Sequence, residues 1–494
     1  MNKIYFIVII VINTSCNNYK DRPSIAKDFS FISDSLNIQT KLSEHKLRGF
    51  SIAVFENYRI VHKQQWGVKA ANNEEEIDEN TAFSTASISK PVTALLCLIL
   101  EEKGLINLDE PIEKYLKRWQ LPESKFTSDI EITWKHLLSH TAGTSQHGFA
   151  DYYEGDTIPS IVQSLKGQLP RYNDKEIEFL FVPGTSWKYS GGGYVIVQMA
   201  LEDHFKKTIS ELAKEYIFDP LNLVNSSMIQ PNEKGFLSNV AKVHDEHGNV
   251  IKTGLPITPQ VAPSGMWSTP TDLAKLTIEI QNALRNKGNT LISHEVAKKT
   301  TEIAALKDAV GGWSLGWQLS FGYDNYNWFQ CNGSNTGVGG DVFATIEDGN
   351  GFVIFANGEK ANRFPVIDYT RNTLLRIMKW RKVIPRDNIK PLPTNLQNAL
   401  VGTYDDFLYQ QSFETTIITK NNRLYVQSPF FEHFKGTKES EMVYLGDNVF
   451  KIIDYPNFLK LEMDETGQAI NFIIYRDSLD TLAVTIPLIK KENN

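Results

Sequence analysis

Between Val92 and Leu100 the apolar residues Val92, Leu95, Leu96, Ile99 and Leu100 recur at the i, i+3, i+4, i+7, i+8 spacing of a buried helical face. A helix of this kind has to lie in a core. It opens on Ser87-Ile88-Ser89-Lys90, which sets a hydroxyl and an amine at i and i+3, on neighbouring positions of the helix surface. Pro91 falls in the first turn, where a missing N–H costs nothing. A serine at a helix start lies near unpaired N–H groups and the positive end of the dipole, both of which favour a developing oxyanion. A lysine close by can take the serine's proton if its pKa is lowered. The same Ser-x-x-Lys spacing recurs at Ser24–Lys27 and Ser43–Lys46, but only the Ser87 copy opens a strongly apolar helix.

Around this helix the pattern alternates between strand and helix signals. Phe50–Phe55 and Arg59–Trp66 read as strands joined by a turn at Asn57-Tyr58, and a helical, loop-rich stretch follows the Ser87 helix to about Ser227. Val240–Lys252 reads as a hairpin turning at His247-Gly248-Asn249. A helix is expected from Pro270, with Thr269 as its cap. Trp328–Asn357 reads as strands with a turn at Asp348-Gly349-Asn350-Gly351, and Ile367–Arg381 as a closing helix. The fold class is therefore α+β: one antiparallel sheet flanked by helices.

A chain of 494 residues exceeds the usual single-domain size, and Pro385, Pro391 and Pro393 mark a linker. Beyond it, Val401–Tyr404, Thr415–Thr419, Arg423–Val426, Val449–Ile453, Phe458–Met463 and Ile470–Tyr475 predict a small C-terminal all-β barrel or sandwich domain. The expected division is a leader over 1–16, a main domain over 17–384, a linker over 385–397 and the β-domain over 398–494.

The leader reads as an export signal. Lys3 precedes the apolar run Ile4–Ile12, too short to span a bilayer, and Cys16 follows it as at a lipoprotein cleavage site. Asn13 departs from the Leu or Val usual in that motif. The expectation is an exported protein, in the periplasm or at the outer surface, held to a membrane by lipid on Cys16. A net charge of -7 with no basic stripe argues against nucleic acid as a partner. Of the three cysteines, Cys97 sits in the apolar helix as a small core residue. No disulfide framework is indicated, and no C-x-x-C or His-x-x-x-His spacing suggests a metal.

Three further segments give the Ser87 turn its context. They are His136-Leu-Leu-Ser-His140-Thr-Ala-Gly143, Pro183-Gly184-Thr-Ser-Trp-Lys-Tyr189-Ser190-Gly191, and Cys331-Asn332-Gly333-Ser334-Asn335-Thr336-Gly337. With Ser87–Lys90 they resemble the serine β-lactamase and penicillin-binding superfamily, in its class C-like branch of esterases, carboxypeptidases and aminopeptidases. Leu108-Asp-Glu-Pro111, Ala262-Pro-Ser-Gly265, Ser268-Thr-Pro270 and Leu315-Gly-Trp317 add to the likeness, which covers roughly Leu47 to Arg381.

That resemblance implies that Ser87 is an acylating nucleophile, Lys90 its activating partner, and Tyr189 the tyrosine that shares the proton with the lysine. It implies oxyanion donors at the backbone N–H groups of Ser87 and Ser334, with Gly333, Gly191 and Cys331 also on the substrate-binding side. Lys90 needs a pKa drop of about 3 units to act as a base at pH 7. A charged Lys90 would lower Tyr189, so the pair is expected to titrate jointly. His136 and His140 could suggest a Ser-His-Asp triad, but are read as structural histidines bound to backbone. Gly191–Gly193 could suggest a phosphate loop, yet no Lys-Ser/Thr follows, and it is read as a turn.

Two positions depart from the family pattern. The asparagine usual two residues after the tyrosine is Gly191, and the lysine or histidine usual at the third motif is Cys331. A literal Lys252-Thr253-Gly254 is read as a chance match, because the third motif should lead into the late strands. The losses remove an amide and a cation that would meet an acylamino-carboxylate substrate. The expected function is a serine hydrolase acting on a small ester or amide through an acyl-enzyme. The alternatives are a D-alanyl carboxypeptidase or β-lactamase-type cell-wall enzyme with a peptide substrate, and a non-catalytic sensor or binding protein keeping the fold. No cofactor is implied.

Overall fold

The structure is a computed structural model, and it describes residues 28–491 apart from 72, 170–174, 290, 309–310, 324–325, 381–387, 409–413, 430, 432–437, 454–457 and 476–483. The expected leader and Cys16 lie outside the described residues.

The main sheet begins with β1 (Gly49–Glu56) and β2 (Arg59–Gly67). Asn57 and Tyr58 between them both have positive φ, as a two-residue hairpin turn requires. A two-stranded ladder pairs β3 (Phe83–Ser84) with β4 (Trp267–Ser268). The main sheet continues with β5 (Ala305–Asp308), β6 (Gly311–Trp313), β7 (Gln318–Tyr323), β8 (Tyr326–Asn335), β9 (Val338–Thr345) and β10 (Gly351–Ala356). Its eight strands run in the order β2-β1-β10-β9-β8-β7-β6-β5, and every pairing is antiparallel.

Strand β1 is buried from Gly49 to Phe55, and its side chains alternate between two cores. Ala53 and Phe55 face the core that holds the Ser89–Glu102 helix, whereas Phe50, Ile52 and Val54 face a second core. The Pro270–Leu284 helix covers β1 and β10, and the Lys360–Ile377 helix packs on β9 and β10. Thr269 caps the former, its hydroxyl accepting from Asp272 N at 3.1 Å. The Ser89–Glu102 helix is buried from Ser89 through Leu100, on every side and not on one stripe alone.

The C-terminal domain is a second eight-stranded antiparallel sheet in sequential order: β11 (Gly402–Asp405), β12 (Glu414–Lys420), β13 (Arg423–Gln427), β14 (Glu439–Gly446), β15 (Val449–Ile452), β16 (Phe458–Met463), β17 (Ala469–Tyr475) and β18 (Val484–Pro487). The segment that follows β18 returns to β11, since Asp405 N donates to Ile489 O at 3.1 Å and Lys491 N to Thr403 O at 2.8 Å. The Thr394–Leu400 helix closes its core with Leu396 and Leu400. Strand β14 has no counterpart in the sequence reading, because it opens on the polar Glu439-Ser440-Glu441.

Candidate active site

Ser87 stands in a short 3-10 turn, Ala86–Ile88, that feeds directly into the Ser89–Glu102 helix. The α-helix therefore starts two residues later than the sequence pattern predicts. Ala86 has a φ of 49°, an uncommon conformation for a residue with a Cβ, and the turn leaves Ser87 partly exposed while its neighbours are buried.

Lys90 is 2 % exposed. Its Nζ lies 3.1 Å from Ser87 Oγ and donates to Pro263 O at 2.8 Å. Tyr189 OH donates to Ser87 Oγ at 2.8 Å. The three chemically active side chains thus meet on one oxygen atom. Burial lowers the Lys90 ammonium to about 7, so near neutrality it is half in the basic form. Burial pushes the Tyr189 phenol well up, the opposite of the lowering that a charged Lys90 was expected to cause. At neutral pH the arrangement offers a lysine able to accept a proton and a tyrosine able only to donate one.

Strand β8 passes beside this turn. A Cβ at Gly333 would sit 2.1 Å from Thr85 O, so only glycine lets the strand approach so closely. Ser334, the next residue, lines the same cavity as Ser87, Lys90, Tyr189 and Gly191, a space of about 220 Å³. Arg363, fully buried in the Lys360–Ile377 helix, holds this end of β8 from behind. It donates to Ser334 Oγ at 2.5 Å, to Asn335 O at 3.3 Å and to Gly358 O at 2.6 Å.

Cys331 does not line the cavity. It is 5 % exposed, with its thiol 3.5 Å from Ser87 O, and burial pushes that thiol up to about 12. It is a neutral filler behind Ser87. Lys252 is not among the residues of the cavity wall; it is exposed and forms an ion pair with Asp156 at 2.8 Å.

The glycine run Gly191–Gly193 is not a turn; it forms the start of the Gly191–Phe205 helix, capped by Ser190 Oγ, which accepts from Gly193 N at 3.2 Å. The glycines are there for space. A Cβ at Gly191 would meet His147 O at 2.8 Å, and one at Gly192 would meet Ile177 Cδ1 at 2.6 Å. The loop carrying His147 and Phe149 fills the room that a side chain at 191 would need.

The two histidines are backbone anchors. His136 Nδ1 accepts from Thr133 N at 3.2 Å in a helix cap, and His140 Nδ1 accepts from Ser190 N at 3.2 Å. His140 also packs against Tyr189, with ring centroids 4.5 Å apart, and burial keeps it neutral. Asp151, Ser264, Glu359 and Lys360 line the cavity as well, and the sequence reading did not single out Asp151, Glu359 or Lys360. They come from a loop and a helix cap remote from the motifs, and their positions appear only once the sheet is assembled.

Comparison with known proteins identifies the family and the fold. The beta-lactamase family profile matches residues 36–376. The teichoic acid D-alanine hydrolase of Staphylococcus aureus (strain MRSA252) is 25% identical over 338 residues, covering 67% of this chain and 76% of that protein. An octameric penicillin-binding protein homologue from Pyrococcus abyssi superposes with a TM-score of 0.58 at 18% identity, covering 91% of this chain and 97% of that one. The structure titled SurE with D-Leu superposes with a TM-score of 0.54 at 17% identity, covering 90% and 98%. These two likenesses concern the fold. The profile match runs from before β1 to the end of the Lys360–Ile377 helix, well over half of the chain, and the protein therefore belongs to the beta-lactamase family of serine hydrolases.

Proposed function

We propose that this protein is an exported hydrolase that cleaves small esters or amides through an acyl-enzyme on Ser87. The observation that carries the reading is the convergence of Tyr189 OH and Lys90 Nζ on Ser87 Oγ, at 2.8 and 3.1 Å. Neutral Lys90 takes the serine proton while Pro263 O keeps its amine in place. Ser87 Oγ then attacks the substrate carbonyl carbon. The backbone N–H groups of Ser87 and Ser334 serve as the oxyanion donors. Tyr189 gives its phenol proton to the leaving alcohol or amine and is reprotonated from Lys90, so the serine proton ends on the leaving group. Water then attacks the acyl-enzyme, its proton passing to Lys90 and back to Ser87 Oγ as the acid is released.

The two departures from the family pattern favour substrates without an acylamino-carboxylate group. Gly191 has no amide to offer, and Cys331 is buried behind the nucleophile with no charge to offer. D-alanyl esters are the first substrates to try, given the relative named for teichoic acid D-alanine hydrolysis. The export and lipid anchor at Cys16 rest on the amino-terminal sequence alone.

Turnover of p-nitrophenyl acetate, D-alanine methyl ester and a penicillin by the wild type and by Ser87→Ala tests this. Ester cleavage that is lost in Ser87→Ala, with little or no penicillin cleavage, is the expected result. Penicillin as the best substrate, or ester cleavage by Ser87→Ala at the wild-type rate, overturns it.

A further inference from the structure

We propose that Arg363 is a positioning residue for acylation: its buried guanidinium fixes the end of β8 that carries the oxyanion donor, and so keeps Ser334 in register with Ser87 and Lys90. The inference rests on the serine-hydrolase reading above and names what holds its anion site in place.

Side chains along β8 alternate between two faces. Gly333 and Asn335 face the nucleophile side: a Cβ at Gly333 would meet Thr85 O, and Asn335 Oδ1 accepts from Ser264 Oγ at 3.0 Å. Ser334 points the other way, to the Lys360–Ile377 helix. There Arg363 Nη2 donates to Ser334 Oγ at 2.5 Å and to Asn335 O at 3.3 Å. Arg363 Nη1 donates to Gly358 O at 2.6 Å, in the link between β10 and the helix. One planar fork therefore ties two consecutive residues of β8 to the start of that helix. Gly339, the β9 partner of Ser334, makes the room for it, since a Cβ there would stand 2.5 Å from Arg363 Nε.

A buried charge needs a reason. Arg363 is fully buried, its Nε has no hydrogen-bond partner among the described residues, and burial lowers the guanidinium to about 10. An apolar side chain of similar length would avoid that desolvation. What only the arginine supplies is a set of charge-assisted bonds to the strand end. On the opposite face, Ser264 follows Pro263, whose carbonyl orients Lys90. Asn335 is thus bound through its side chain to the loop that holds the base, and through its carbonyl to Arg363. The spacing between base and anion site is set from both faces of the strand. Arg363 is absent from the cavity wall, so it acts through Ser334 and Asn335 and not on the substrate.

The test compares Arg363→Lys, Arg363→Met and Ser334→Ala with the wild type. The readouts are kcat/KM for p-nitrophenyl acetate from pH 6 to 9, the Ki of phenylboronic acid, and thermal melting. The boronic acid forms a tetrahedral adduct on the serine and so reads the anion site without a leaving group. Both Arg363 variants are expected to lose about 10- to 100-fold in kcat/KM. They should bind the boronic acid more weakly by a similar factor, with the rising limb of the pH profile still near 7. Arg363→Lys combined with Ser334→Ala should cost less than the product of the two single losses, because both loosen the same strand end. Wild-type kcat/KM in either Arg363 variant, even one that melts lower, shows a merely structural arginine and overturns the inference. A loss of kcat/KM with unchanged boronic acid affinity, or with a displaced pH limb, overturns it as well. An absence of Ser87-dependent turnover in the wild type sinks the underlying reading instead.

Discussion

The carbonyl oxygen of Pro263 accepts a hydrogen bond from Lys90 Nζ at 2.8 Å, deep in the core of the larger domain. A neutral acceptor of this kind orients the amine without demanding that it be charged. One N–H is committed to Pro263, and the lone pair of the neutral amine is left for the Ser87 hydroxyl. Tyr189, donating to the same Ser87 oxygen, leaves the serine proton pointing to the lysine. The hydrogen-bond chain and the burial of Lys90 therefore argue for the same proton route.

The first consequence is a pH profile. With Lys90 lowered to about 7, acylation of Ser87 should rise with unit slope through about pH 7 and level off above it. Second-order labelling rates with a neutral fluorophosphonate between pH 5 and 9 measure this directly. A flat profile over that range would show that a neutral lysine is not required.

Tyr189→Phe removes one of the two groups on Ser87 Oγ while leaving Lys90 on Pro263. Turnover should fall by about 100-fold, and the rising limb near pH 7 should stay where it is. Pairing it with Lys90→Ala should cost little beyond the worse single change, because the two act on one proton. Losses that add fully in log rate would mean independent roles.

Burial of Lys90 carries a stability cost with a defined pH window. Its pKa is 10.5 when solvated and about 7 in the fold. Below about 7 both states hold the proton and the folded state bears the full penalty. Between about 7 and 10.5 the unfolded chain binds more protons, so stability rises with pH. Above 10.5 the penalty is gone. Lys90→Met should therefore stabilise the protein, by roughly 5 kcal/mol at most near pH 6 to 7, with the gain shrinking towards pH 10. Urea titrations of both proteins at pH 6, 8 and 10 check it; a gain that grows with pH would contradict the buried, depressed lysine.

Gly333→Ala puts a methyl group where the carbonyl of Thr85 already lies, 2.1 Å from the new Cβ. Strand β8 must then withdraw from the Ser87 turn, carrying Ser334 with it. A displacement of this order should cost about 100-fold or more in acylation, with the fold retained. Near-normal labelling of the variant would show that the close approach of β8 is not needed.

The strand and helix signals that were legible share one property: their pattern is local. The β1–β2 hairpin, the Thr269 cap, the burial of the Val92–Leu100 segment and the order of the Ser87, Tyr189 and Ser334 segments could all be read from short windows. Strands β5 and β6 could not, because they are only four and three residues long and Gly311 and Gly312 leave β6 a single large side chain. Strand β7 alternates over Gln318-Leu319-Ser320-Phe321 but is too short a run to stand out, and each strand is placed by its neighbour, β7 on β8, β6 on β7 and β5 on β6. Tertiary crowding also explains the misreading of Gly191–Gly193, where the glycines serve contact with the 146–149 loop and not a turn. Asp151, Glu359 and Arg363 have no sequence signature at all; a cavity wall built from a loop, a helix cap and a buried helix residue exists only after folding.

Intact-mass measurement after brief exposure to a fluorophosphonate at pH 8 tests the central claim most directly. The account predicts one adduct, mapped to Ser87, absent from Ser87→Ala and formed far more slowly in Lys90→Met. An adduct that persists in Ser87→Ala, or one that forms at the wild-type rate in Lys90→Met, would contradict it.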